Sequence, residues 1–128
     1  MAPTNDPSRP TLLVVEDEVL VRMLLVDTFE DEGFRVYEAA HADEALTILK
    51  ARPDIQAVVT DVEMPGGSMD GFALARRVRE TMPHLPVLIT SGRQAPKAGD
   101  LPEGMYFLAK PFHTATLVQL LRSLLAGS

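Results

Sequence analysis

Cysteine is absent from this chain, which excludes a disulfide framework, thiolate chemistry and Cys-ligated zinc and agrees with a reducing compartment. No basic run offsets the net charge of -6, so nucleic-acid phosphates would be repelled and no direct nucleic-acid binding is expected. No apolar stretch reaches the roughly 18 residues that a membrane span requires, so no membrane partner and a cytoplasmic location are expected. Met1–Pro10 is polar and holds three prolines, without the apolar segment of a secretory signal, and reads as a disordered lead-in over residues 1–10. Repeats and low-complexity tracts are missing too. His41, His84 and His113 stand in separate segments without ligand spacing, which argues against a histidine metal site and leaves them as solvated side chains.

What is present is enough apolar material, 46% of 128 residues, for one continuous core, expected over residues 11–126. Short β-branched runs at Thr11–Val15, Phe34–Tyr37, Ala57–Thr60, Val87–Thr90 and Met105–Leu108 each stop abruptly, as strands buried on both faces do. Helical spacing fills the gaps, at about Glu18–Glu32, Ala42–Ala51, Gly71–Thr81 and Thr114–Leu125. Gly33 supplies a natural stop for the first helix and Asp70 a cap for the third. Between Ser91 and Met105 the breakers Gly92, Pro96, Gly99, Pro102 and Gly104 leave room only for a short or irregular fourth helix. Alternating strands and helices predict an α/β fold, a doubly wound parallel sheet with helices on both faces.

Ligands of such sheets bind beyond the carboxyl ends of the strands. Those ends carry Glu16 and Asp17, Asp61, Ser91, and Lys110: three carboxylates, a hydroxyl and an ammonium converging on one edge. Carboxylates this close raise one another's pKa unless a cation sits among them. All-oxygen ligands without His or Cys favour Mg²⁺, and a carboxylate such as Asp61 is a competent nucleophile toward phosphorus.

At this point the residues show a family resemblance. Val15-Glu16-Asp17-Glu18, Thr60-Asp61-Val62-Glu63-Met64-Pro65, Asp70-Gly71, Thr90-Ser91-Gly92 and Lys110-Pro111-Phe112, in this order and spacing, resemble the receiver domains of two-component response regulators, of the stand-alone, chemotaxis-regulator-like kind. The resemblance covers about Thr11–Leu125. It implies a flavodoxin-like five-stranded sheet of order 2-1-3-4-5. It implies Asp61 as phosphoacceptor, Glu16, Asp17 and Asp61 as Mg²⁺ ligands joined by the Glu63 backbone carbonyl, Ser91 as the switch hydroxyl and Lys110 as the phosphate-pairing lysine. The Lys110-Pro111 bond is then cis and Phe107 is the switch aromatic. The partners implied are a sensor histidine kinase or histidine phosphotransfer protein and an unnamed downstream protein. Such a domain is a phosphoacceptor rather than an enzyme on external substrates, and promotes its own phosphorylation and dephosphorylation. Because the chain ends just past its last helix, output is expected through a partner; a stand-alone regulator and a receiver excised from a hybrid kinase both stay open, with Met1 and the proline-rich lead-in favouring the former.

The sequence departs from the family pattern in three places. The loop Met64–Asp70 is longer and richer in glycine than usual, and the segment from Ser91 to Lys110 is shorter. Output and dimer contacts in receivers commonly use the face around the fourth helix, so a phosphorylation-dependent dimer is weakened by a shrunken helix there. Phe107 lacks the hydroxyl of a tyrosine. Glu63 and Arg93 occupy positions where receivers tune dephosphorylation, and an exposed ion pair between them is worth at most about 1 kcal/mol. On the first helix, Val21, Leu24, Leu25 and Phe29 read as core, while Val19, Met23 and Val26 read as an exposed face on which a phosphodonor docks. The leucines of the last helix, Leu117, Leu120, Leu121, Leu124 and Leu125, read as one buried stripe. Two other functions stay open: a small aspartate-nucleophile phosphatase, and a protein-binding module that keeps the fold without switching. A plainer role for Asp17, capping the first helix, stays open as well.

Overall fold

The computed structural model describes residues 9–65, 67–92, 96–97, 101 and 104–126. Five parallel strands, β1 (Thr11–Val15), β2 (Arg35–Ala39), β3 (Ala57–Asp61), β4 (Val87–Ser91) and β5 (Tyr106–Ala109), form one sheet in the order β2-β1-β3-β4-β5. The helices are α1 (Val19–Asp31), α2 (Ala42–Ala51), α3 (Gly71–Thr81) and α4 (Thr114–Ala126). This is the flavodoxin-like, doubly wound arrangement that the alternation predicts.

Side chains alternate across a strand, so each central strand feeds two cores. Leu13, Val15, Val58 and Ile89 pack with Ala45 and Leu49 of α2 and with Leu74, Ala75 and Val78 of α3. Leu12, Val14, Val59 and Leu88 point the other way, against Phe29 of α1 and Leu117 and Leu121 of α4. A strand walled on both sides has no place for charge before its last residue. That is why charge begins abruptly at Glu16 and at Asp61.

The helix ends follow local chemistry. Asp70 accepts the Ala73 amide proton at 2.9 Å and so caps α3. Gly33, with φ at 94°, takes the left-handed position just past α1. His41 is not merely solvated: its Nδ1 accepts the Glu44 amide proton at 3.3 Å and caps α2. Asp17 does not cap α1, whose N-cap is Glu18 with no side-chain cap bond.

Several strands and one helix face differ from expectation. The second strand begins at Arg35 rather than Phe34, because Phe34 is buried beneath the sheet edge against Phe29. β3 and β4 run one residue further, to Asp61 and Ser91. β5 spans Tyr106–Ala109 and is an edge strand with both end residues exposed, not one buried on both faces. On α1 the buried face holds Val26 and Phe29, with Leu25 partly covered, whereas Leu24 is 61% exposed. Apolar residues surround this helix on every side, so periodicity cannot choose a face; packing against β1 and Phe34 chooses it. Among the described residues between Gly92 and Gly104 no helix occurs. The remainder of the expected fourth helix, Arg93, and most of the expected lead-in lie outside the described residues.

Candidate functional site

Parallel pairing brings the strand exits into line. Val15 is in register with Thr60, Asp61 with Thr90, and Ser91 with Ala109, so Glu16, Asp61, Ser91 and Lys110 lie at one end of adjacent strands. The cavity over them measures about 380 Å³ and is lined by Asp17, Glu18, Asp61, Glu63, Pro65, Gly92 and Lys110.

At its base sits Asp61, 6% exposed. Lys110 places its Nζ 3.4 Å from Asp61 Oδ1 and 3.9 Å from Glu16 Oε1. The first separation is an ion pair without hydrogen-bond geometry, and Oδ1 is the buried side-chain atom without a hydrogen-bond partner among the described residues. Such an atom costs free energy unless something charged or protic meets it. One oxygen each from Glu16, Asp17 and Asp61 lies within 4.8 Å of the others, a spacing and a donor chemistry that fit one small divalent cation.

Burial pushes the Glu16 carboxyl up to about 7, the Asp61 charge adding to the rise while the Glu18 amide and Lys110 counter it. Burial also raises Asp61, with Lys110 opposing and Glu63 reinforcing the shift. A folded-state pKa above the ordinary 4.5 means that the fold retains a proton on Glu16 which the unfolded chain releases. Stability of the metal-free protein therefore falls as pH rises through this window and levels off above about 7. We expect wild type in EDTA to lose on the order of 2–3 kcal/mol between pH 5 and pH 8 relative to Glu16→Gln, read from urea midpoints. A divalent cation held by the ionised carboxylates would remove most of that loss and would bind more weakly below about pH 7.

Ser91 sits 2% exposed at the end of β4, and its hydroxyl donates to Glu63 Oε2 at 2.6 Å. Phe107 is partly buried with its ring stacked on that of Phe72, centroids 6.4 Å apart. The Lys110-Pro111 bond is cis. Sequence reasoning missed Arg22. Its Nη1 donates to the Glu16 carbonyl at 2.7 Å and its Nε pairs with Glu38 at 3.0 Å, which pins the loop carrying the acidic pair. A lone cation among the otherwise apolar first eight residues of α1 was the available signal. Gly71, expected as a helix start and as part of the Asp70-Gly71 motif, packs directly on the exit of β3.

The family model for the response regulator receiver domain matches residues 12–122. The chain belongs to this family. Among solved structures, a response regulator receiver protein from Sinorhizobium medicae is similar, with TM-score 0.85, 30% identity, and 94% of this chain and 98% of that one covered. The sensor kinase CckA of Brucella abortus is 38% identical over 90% of this chain and 12% of its own length. The C4-dicarboxylate transport transcriptional regulatory protein DctD of Rhizobium meliloti is 37% identical over 88% of this chain and 25% of its own. The receiver thus spans about a quarter or less of these two curated relatives, and about a quarter of the NtrX-like regulators of Rickettsia. As a receiver it belongs to the phosphorylation-dependent signalling class, a regulatory phosphoacceptor domain whose family is served by histidine kinases. No described helix is long and apolar enough to cross a membrane.

Proposed function

We propose that Asp61 accepts a phosphoryl group from a histidine kinase or histidine phosphotransfer protein and that the modified receiver changes its protein partners. The observation that carries this reading is the Asp61 carboxylate itself: buried, paired with Lys110, lacking a hydrogen bond on Oδ1, and facing a cavity open to solvent. In the reaction an Asp61 oxygen attacks phosphorus and forms an O–P bond. The P–N bond to the donor imidazole breaks, and its electron pair stays on the departing nitrogen.

Lys110 compensates charge on the phosphoryl oxygens, and the Ser91 hydroxyl donates to one of them. Glu16, Asp17, Asp61 and the Glu63 carbonyl would hold Mg²⁺, which when bound supplies charge neutralisation for the transferred group. Phe107 stacks on Phe72, and phosphorylation would bias it toward a second arrangement. The donor docks over the exposed apolar side chains at the start of α1, Val19, Leu20, Met23 and Leu24, which follow in the chain on Glu18 of the cavity wall. A cytoplasmic location, an unnamed downstream partner, a phosphorylation-dependent dimer and self-catalysed dephosphorylation complete the reading.

Intact mass after incubation with acetyl phosphate or phosphoramidate tests it. One phosphoryl adduct is expected with Mg²⁺ and none in EDTA. Absence of any adduct with either donor would point to the non-switching binding module, and multiple turnover of an external phosphate ester would point to the phosphatase.

A further inference from the structure

The bond from the Ser91 hydroxyl to Glu63 joins a buried donor to a partly exposed carboxylate at 2.6 Å, which is short and charge-assisted. A serine hydroxyl has one proton to donate. It can go to the Glu63 carboxylate or to an oxygen of a phosphoryl group on Asp61, not to both. Glu63 lies near enough to Asp61 for its charge to disfavour ionisation there. A doubly charged phosphoryl group on Asp61 therefore repels the same carboxylate that engages the hydroxyl.

We infer that the Glu63 side chain is a latch: it engages the Ser91 hydroxyl in the unphosphorylated receiver and gives it up when a phosphoryl group arrives on Asp61. Glu63 is thus a positioning residue that acts through Ser91, an inference that rests on Asp61 being the phosphoacceptor. Breaking the Ser91–Glu63 bond is part of the work of activation, so the latch lowers the population of the active arrangement before phosphorylation and weakens binding of anything that mimics the phosphoryl group. A side chain acting only by its negative charge would weaken the same binding whether or not Ser91 were present.

Beryllofluoride, a tetrahedral mimic of a phosphoryl group on a carboxylate, separates these cases. Its affinity is measured by ¹⁹F NMR titration at saturating Mg²⁺ for wild type, Glu63→Ala, Ser91→Ala and the double variant, with thermal melts to establish folding. The latch predicts that Glu63→Ala tightens binding roughly fivefold to tenfold more when Ser91 is present than in the Ser91→Ala background. Glu63→Gln keeps an acceptor without the charge and is expected to fall between. Equal tightening in both backgrounds overturns the latch and leaves Glu63 acting by charge alone. Failure of wild type to bind beryllofluoride in a Mg²⁺-dependent way overturns it together with the phosphoacceptor reading, a different result from equal tightening.

Discussion

Asp61→Asn is expected to take no phosphoryl group from acetyl phosphate or phosphoramidate under conditions in which wild type takes one. An amide oxygen is too weak a nucleophile to replace the carboxylate, and no other carboxylate in the site combines burial with a 3.4 Å approach of Lys110. The variant also replaces one of the three clustered carboxylates by a neutral amide, a weaker ligand for a hard cation, so its Mg²⁺ affinity is expected to drop by at least the roughly 10–100-fold that loss of an outer partner costs. Stability moves in the opposite direction. Burial raises the Asp61 pKa, so the ionised carboxylate destabilises the metal-free fold near neutral pH, and a neutral amide relieves that penalty. At pH 8 in EDTA the variant should melt above wild type, and Mg²⁺ should narrow or reverse the gap. A variant that melts lower in EDTA would show that the carboxylate is not the strained group the geometry makes it.

Gly71→Ala is expected to lower stability more than any other single-methyl change at a described glycine. A Cβ there falls inside contact distance of the Asp61 carbonyl oxygen and lies 2.9 Å from both the Asp61 carbonyl carbon and Val62 Cα. All three are backbone atoms of the β3 exit, which neither rotate away nor shift without disturbing Asp61, and the Gly71 amide donates to the Val62 carbonyl at 3.0 Å across the same contact. Overpacking against backbone of this kind costs about 3 kcal/mol, or about 10 °C in Tm for a domain of this size. Gly33→Ala is the control. Its added Cβ meets nothing within 4 Å, and only the positive φ of 94° is strained, so its cost should stay near 1 kcal/mol. Because Gly71 fixes where α3 starts relative to Asp61, the Gly71 variant should also be phosphorylated more slowly at temperatures where it remains folded, which the same mass measurement reads.

The clarity of each sequence signal follows from its physics. Strands walled by helices carry no charge before their ends, so Glu16 and Asp61 announce themselves as charge beginning where the apolar run stops. Cap chemistry is equally local: Asp70 three residues before Ala73, and Gly33 after α1, can be read without the fold. The face of α1 could not be read this way. With eight apolar residues among thirteen, its sequence allows several burial faces, and Val26 rather than Leu24 went inward once the helix lay on β1. Long-range hydrogen bonds were equally hidden. Ser91 and Glu63 are 28 positions apart, and nothing in either segment says that the hydroxyl meets the carboxylate.

By itself, then, the sequence determined the α/β class, the positions of most elements, and which charged residues leave the sheet at its carboxyl edge, because these depend on periodicity and on the cost of burying charge. Tertiary structure alone decided the finer partners: Arg22 on the Glu16 carbonyl, Glu63 on Ser91, and Gly71 against the β3 backbone. The geometry of those contacts exists only after strand register and helix rotation have been set by packing.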